Sequence, residues 1–350
     1  MNPEPLRIEP TFSPRIWGAR SLAPLYPEKS DLAEPLGEAW LTGLSCRIAS
    51  GPFKGKTLRE AWREMPAAWR GTQAAAGGDF PLLVKFIFPT DKLSIQVHPD
   101  DAYAEAHEKA AGGRGKTEMW HVVSAEPNAQ VLVGLKPGVD KQAFLEALEK
   151  HTLESLFQAF PVRAGDTIFV PAGTPHTIGS GMIVFEVQEY SDLTYRVYDY
   201  GRVDAQGKPR ELHLDKALEV IHFGATAARK TSRLSLPAED FERSLLAACR
   251  YFAAEQWEPG GPFVMQTDAS HFDLLVSVSA DGFLNARGFR FPCRRGDCWF
   301  LPANLGEYNF LPLEQPATLI RAYPPDLDAL RGELQEAGHA KTVARDAVFD

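Results

Sequence analysis

Apolar and polar residues follow one another in short runs along most of the chain, the pattern of strands rather than helices. PLLVKFIFP (81–89), KLSIQVHP (92–99), EMWHVVSA (118–125), AQVLVGL (129–135), DTIFVPAG (166–173) and MIVFEVQEYS (182–191) are punctuated by Pro, Gly and Asp. Short strands with such breakers predict an antiparallel sandwich or barrel, a mainly β fold. Strand-like runs resume in HFDLLVSVSADGFLN (271–285) and CWFLPANLGEYNFL (298–311). Helix spacing is confined to TLREAWREMPAAW (57–69), KQAFLEALEKHTLESLFQAF (141–160, one or two helices), ELHLDKALEVIHF (211–223) and a tail fraying into a charged end. The expected organisation is a first β domain with flanking helices over 1–225 and a linker over 226–240, which lacks aromatic core formers. A second β domain over 241–325 and a helical tail over 326–350 follow. AGDTIFVPAGTPHTIG (164–179) and RGDCWFLPANLGEYNF (295–310) share a Gly-Asp turn, an apolar strand and a Pro-Ala kink. The same hairpin is thus expected in two related barrels, the second without a histidine where the first has His176.

Polar positions within the first set of strands carry the chemistry. In LSIQVHPDD (93–101), alternation puts Ser94, Gln96 and His98 on one face and Leu93, Ile95 and Val97 on the other. Glu118 opens the strand EMWHVV, and His176 sits at the kink of VPAGTPH. Any one of these histidines alone reads as a polar core residue. Two imidazoles, a carboxylate and an amide on strand signals read as a divalent-metal site, with zinc favoured by the nitrogen content. Their wide separation requires a barrel that brings inward faces together. Pro99 ends the ladder because it lacks an N–H. Asp100 and Asp101 read as turn or helix-cap groups, and His121, three residues beyond Glu118, faces the opposite side.

Composition narrows the partners. At 350 residues, 44% apolar and 24% charged, the chain reads as a packed globular protein with room for two domains. A net charge of −9 disfavours nucleic acid but not a phosphorylated small molecule. No apolar run reaches the ~20 residues of a membrane span, and MNPEPLRIEP has no signal-peptide core. Four scattered cysteines, with no CxxC pair, read as reduced thiols in a cytoplasmic protein. GGRGKT (112–117) is a decoy for a phosphate loop, since Ala110 stands where its first glycine belongs and a strand follows.

LSIQVHPDD, GKTEMW, VPAGTPHTIGSG and SDLTYRVYDYGR, with RIWG near the start, closely resemble the type I mannose-6-phosphate isomerases of the cupin superfamily. The resemblance runs from about residue 8 to 225 and more faintly beyond. The short Glu118-to-His176 interval is that of the short bacterial branch. It implies two cupin (jelly-roll) β-barrels, with a metal-binding catalytic domain first and a second barrel without a metal. It implies one Zn2+ per chain, or another divalent metal, held by Gln96, His98, Glu118 and His176. The catalytic arginine falls on Arg196, the phosphate-binding lysine and serine on Lys85 and Ser94, and the lysine beside the metal glutamate on Lys116. Where relatives often carry two glycines after the N-terminal Trp, Gly18 is followed here by Ala19.

The implied activity is interconversion of mannose-6-phosphate and fructose-6-phosphate by a cytoplasmic monomer or homodimer, with no nucleic-acid or membrane partner. A proton moves between C1 and C2 through an enediolate, and the residues leave the base open among a metal-bound water, Lys116, Glu118 and a histidine. Two other readings compete. A metal-dependent cupin dioxygenase explains the ligands but gives Lys85, Ser94 and Arg196 no role. A non-catalytic sugar-binding cupin has no need of the ligands at all.

Overall fold

The near-continuous apolar runs become inner strands of two seven-stranded antiparallel sheets packed back to back. The structure, a computed structural model, describes residues 1–74, 78–204, 206–224 and 228–350. The first of these sheets runs, in spatial order, Arg229–Lys230, Thr167–Val170, Glu118–Ala125, Met182–Glu189, Leu82–Ile87, Leu36–Trp40 and Thr11–Ala19. The second runs Leu6–Ile8, Cys298–Leu301, Asp273–Ser277, Leu319–Tyr323, Ala253–Pro259, Phe241–Ala248 and Leu234–Leu236. Each carries a smaller sheet on its far side. A five-stranded sheet (Tyr195–Tyr198, Ile95–Val97, His176–Ile178, Gln130–Leu135, Phe157–Pro161) faces the first. A four-stranded sheet (Phe263–Gln266, Glu307–Pro312, Gly282–Ala286, Phe289–Cys293) faces the second.

Burial on both faces explains the missing alternation in these runs. All six residues of Leu82–Ile87 are buried. Leu82, Val84 and Phe86 enter the core between the two large sheets, with Phe185, Val187, Phe272, Phe300 and Ile320. Ile87 packs the other way, with Trp120, Val133 and Ile178, and Lys85 shares that inward face. Helices Lys141–Glu149 and Leu214–Val220 cover the outside of the five-stranded sheet through Phe144, Ala147, Ala217 and Val220.

The repeated hairpin keeps its hydrogen bonds as well as its residues. Asp166 accepts from the Arg163 N–H at 2.9 Å and Asp297 from the Arg294 N–H at 2.8 Å. Gly165 and Gly296 both have positive φ (90° and 78°), and each donates at 2.8 Å to a neighbouring strand or turn, at Val122 and Ser277.

Four expectations are corrected. The described part of 226–240 is not a linker: Arg229–Lys230 pairs with Thr167–Val170, and Leu234–Leu236 pairs with Phe241–Ala248. Residues 225–227, at the expected boundary, lie outside the described residues. Within 141–160 the α-helix Lys141–Glu149 and a 3-10 turn Leu153–Leu156 are helical as expected, but Phe157–Pro161 is a strand paired with Gln130–Leu135, its aromatic residues suiting a sheet. The span 1–225 is not confined to one sheet pair, since Leu6–Ile8 pairs with Cys298–Phe300. Nor does the tail fray after its helix Leu327–Glu336: a second helix, Lys341–Ala344, follows, and the Phe349 ring stacks on Phe169 at 3.8 Å and 2°.

Candidate metal centre and active site

Cross-strand register assembles one wall of the site. Gln96 lies opposite His176 on one side and opposite Arg196 on the other, so the three form a row across the five-stranded sheet. Glu118 faces them from the first seven-stranded sheet, with Val170 and Gln188 as its neighbours. His98 follows its strand directly, and its carbonyl accepts from the Gly173 N–H at 2.8 Å, fastening the loop that delivers His176. That loop turns at Gly173 with φ 78°, where a Cβ would stand 2.5 Å from the His222 ring; only glycine fits.

The resulting cluster is buried and aimed inward. Glu118 Oε1 lies 3.3 Å from His176 Nε2, and Glu118 Oε2 lies 3.6 Å from His98 Nε2. The Gln96 amide is 3.4 Å from His176 Nε2. Each histidine donates Nδ1–H to a backbone carbonyl at 2.9 Å, His98 to Leu193 and His176 to Thr174. Those bonds fix the ring orientations and leave both Nε2 lone pairs facing Glu118. Burial, reinforced by Lys116, holds His98 well below the usual imidazole range, and burial lowers His176 to about 4. Both rings are therefore neutral, as ligation requires. Neither buried oxygen of Glu118 accepts from a backbone N–H or a neutral side chain.

Such a donor set fits a metal. Tetrahedral bonds of ~2.0–2.2 Å separate ligand atoms by roughly 3.3–3.6 Å, the spacing seen around Glu118. Among the described residues, His98, Glu118 and His176 form the one such group of His, Cys, Asp and Glu.

Beside this cluster opens a cleft of about 520 Å³, lined by Trp17, Lys85, Ser94, Gln96, Lys116 and Arg196 among others. Lys116 Nζ stands 2.9 Å from Glu118 and 3.1 Å from His98 Nε2. Ser94 is buried in the wall. Lys85 is brought to the cleft already paired, 3.0 Å from Glu186 and 3.6 Å from Glu38. Although burial opposes its charge, Glu186 and Glu38 hold its pKa above the usual lysine value. Arg196 donates to the Glu211 carbonyl at 2.8 Å, its buried Nε has no partner, and it has no ion pair among the described residues. Asp199, an alternative partner for it, is occupied by Arg202 and Arg210 at 2.7 Å each.

Glu38, Glu186, Arg15 and Arg210 also line the cleft, and sequence reasoning passed them over. A signal existed for two of them: Glu38 in LGEAW and Glu186 in MIVFEVQ are carboxylates inside buried runs, rare without a partner. Their partners are Trp40 and Trp120, whose Nε1–H groups donate to them at 3.1 Å each. His121 points away, bonded to Thr167 at 2.9 Å, and Asp100 caps helix Asp101–His107. Tyr195 and Tyr198 contact Glu108 and His151.

Residues 6–123 match the family model for the catalytic domain of type I phosphomannose isomerase. The mannose-6-phosphate isomerase ManA of Bacillus subtilis (strain 168) is 35% identical over 315 residues, covering 88% of this chain and 96% of that protein. A crystal structure of the Bacillus subtilis mannose 6-phosphate isomerase superposes with a TM-score of 0.82 at 30% identity, covering 91% of this chain and 99% of that one. A zinc-bound mannose 6-phosphate isomerase shares the fold at a TM-score of 0.70 and 17% identity, with 91% and 99% covered.

Proposed function

Because the chain belongs to the type I phosphomannose isomerase family, we propose that it interconverts mannose-6-phosphate and fructose-6-phosphate in the cleft beside Glu118. The observation that carries this reading is the buried Glu118 carboxylate, touched by the Lys116 ammonium at 2.9 Å and faced by two neutral imidazole Nε2 atoms. His98, Glu118 and His176, with Gln96 as the weaker fourth ligand, would hold one zinc ion. Each large sheet with its smaller partner is read as a cupin barrel, the first carrying the site. The unpaired buried cysteines suit a reducing cytoplasm, and no helix among the described residues is long and apolar enough to cross a membrane.

Aldose–ketose isomerisation moves a proton between C1 and C2 while negative charge develops on O1 and O2. A bound divalent ion supplies Lewis-acid polarisation of those oxygens. Arg196, the cleft guanidinium without a carboxylate partner, adds positive charge where the enediolate forms. Lys116 Nζ, beside both Glu118 and His98, is the side-chain group placed to carry the proton. Ser94 and Lys85 form the phosphate side of the cleft and fix the distance from phosphate to C1 and C2. Since Lys85 is matched by Glu38 and Glu186, it offers a donor rather than net charge, and Arg196 answers more of the phosphate's charge at long range.

An isomerase assay on mannose-6-phosphate with parallel metal analysis tests the reading. Exhaustive chelation abolishes turnover, and zinc or another first-row divalent ion restores it. Full activity in verified metal-free protein overturns it.

A further inference from the structure

The segment Gly115–Glu118 carries both Lys116 and a metal ligand, and each backbone N–H leading up to Glu118 is tied down. Gly115 N–H donates to Asp101 Oδ1 at 3.1 Å, Lys116 N–H to the Pro99 carbonyl at 3.0 Å, and Thr117 N–H to Glu189 Oε1 at 2.7 Å. Two of these ties are internal to the first sheet pair. The third is not, because the other oxygen of Asp101 accepts from the Tyr251 hydroxyl at 2.6 Å. Tyr251 belongs to the turn between Phe241–Ala248 and Ala253–Pro259 of the second large sheet, and that turn is closed by Cys249 N–H donating to Phe252 at 2.8 Å. Arg250 of the same turn stands 3.4 Å from the same carboxylate oxygen. Fit is tight on the receiving side: a Cβ on Gly115 would meet Asp101 N at 2.6 Å and Asp101 Oδ1 at 2.8 Å.

We propose that Tyr251, acting through Asp101 and Gly115, is a positioning residue for Lys116, and that this is how the second half of the molecule serves the reaction. Tyr251 touches no reacting group. It holds Asp101, Asp101 holds the Gly115 N–H, and the next residue points its ammonium at Glu118 and His98. With the hydroxyl removed, Asp101 keeps only the longer Arg250 contact from the second sheet, and its hold on the Gly115 N–H loosens. A displacement of a fraction of an ångström at Lys116 Nζ alters proton transfer and leaves the histidines and Glu118 in place. The inference rests on the reading of Lys116 above.

The test compares metal-loaded full-length Tyr251→Phe, Lys116→Ala and the double variant, with kcat, KM, metal content and Tm measured for each. Tyr251→Phe should lower kcat by about three- to tenfold, with KM and metal stoichiometry unchanged. In the Lys116→Ala background the same change should cost nothing further, since coupled residues are not additive. Asp101→Asn, which keeps an acceptor for Gly115, should retain more of kcat than Asp101→Ala. This pair reads out the same link should Tyr251→Phe fold poorly. Wild-type kcat in folded Tyr251→Phe, or an equal fractional loss on top of Lys116→Ala, overturns the inference. If Lys116→Ala loses activity while Tyr251→Phe does not, only the positioning role falls. If Lys116→Ala turns over normally, the reading of Lys116 falls and the inference with it.

Discussion

Glu38, Lys85, Glu186 and Glu118 stand on four neighbouring strands of the first large sheet; at the matching positions of the second stand Arg243, Glu255, Arg321 and Asp273. The match follows from register. Glu186 lies opposite Lys85 as Arg321 lies opposite Glu255, and Glu118 lies opposite Val170 as Asp273 lies opposite Leu301. Three of the four charges are inverted. The larger difference is in what they are left to do. Glu255 accepts from Arg243 at 2.7 and 2.8 Å, from Tyr323 at 2.7 Å and from Trp257 at 2.9 Å, while Arg321 bonds Asp273 at 2.9 Å. Burial alone would raise the Glu255 pKa; Arg243 and Arg321 reverse this and hold it far below the carboxylate range. In the first sheet, Glu118 meets the Lys116 ammonium at 2.9 Å and accepts from no backbone N–H or neutral side chain. One scaffold thus buries charge in two ways: closed upon itself, where it specifies structure, or left open toward a cleft, where it specifies a ligand.

The comparison predicts opposite behaviour for the same change, Glu to Gln, made in each of the two charge sets. Glu118→Gln should lower kcat/KM by at least about 10³-fold, on the scale of a lost electrostatic group in a dry site. The Tm of the metal-free protein should fall less than in Glu255→Gln, since Lys116 is the charge that loses its contact and no network of several donors is broken. Steady-state kinetics and calorimetry on one preparation check both halves, and a cooperative loss of structure would break the comparison. Glu255→Gln should do the reverse: a loss of about 3–5 kcal/mol of stability, read by urea unfolding, with kcat/KM of the folded fraction unchanged.

Arg196→Ala sharpens the first half of the comparison. It should reduce kcat and kcat/KM together by roughly 10²–10³-fold with metal content intact, and Lys should rescue poorly because it lacks the planar fork. A rise in KM at constant kcat would move Arg196 from the developing charge to the phosphate. The smallest effect concerns His121, lowered by burial from 6.5 to about 4. An unfolded His121 takes up its proton near pH 6.5, whereas the folded one resists until about 4. Stability therefore falls as pH drops through that window. In His121→Gln the acid-side decline in Tm should be shallower; an unchanged slope would remove His121 as its source.

Much of this was legible from local pattern. The strand LSIQVHP, the Pro-His kink and the hairpin echo each depend on neighbours in sequence, and period-two alternation is enough to place Gln96 and His98 on the cleft face. The carboxylates around Lys85 were not placed, because their strands are covered on both sides and alternation, the signal that separates faces, disappears there. Leu6–Ile8 and Arg229–Lys230 were missed for another reason. Each is two or three residues long and becomes a strand only through a partner far along the chain, a tertiary gain that no local propensity records. Lys85 shows the limit of residue-by-residue transfer: it lines the cleft, and its charge balance was invisible until Glu38 and Glu186 stood beside it.

Both chain ends cross the molecule. Leu6–Ile8 is laid into the second large sheet, while Phe349 stacks on Phe169 of the first. Either half made alone would lack a strand or a ring that the other half supplies, and would expose the apolar face that joins them. The protein should therefore unfold in one transition rather than half by half. These two contacts should form late in folding, because contacts of such sequence separation are the slowest to close.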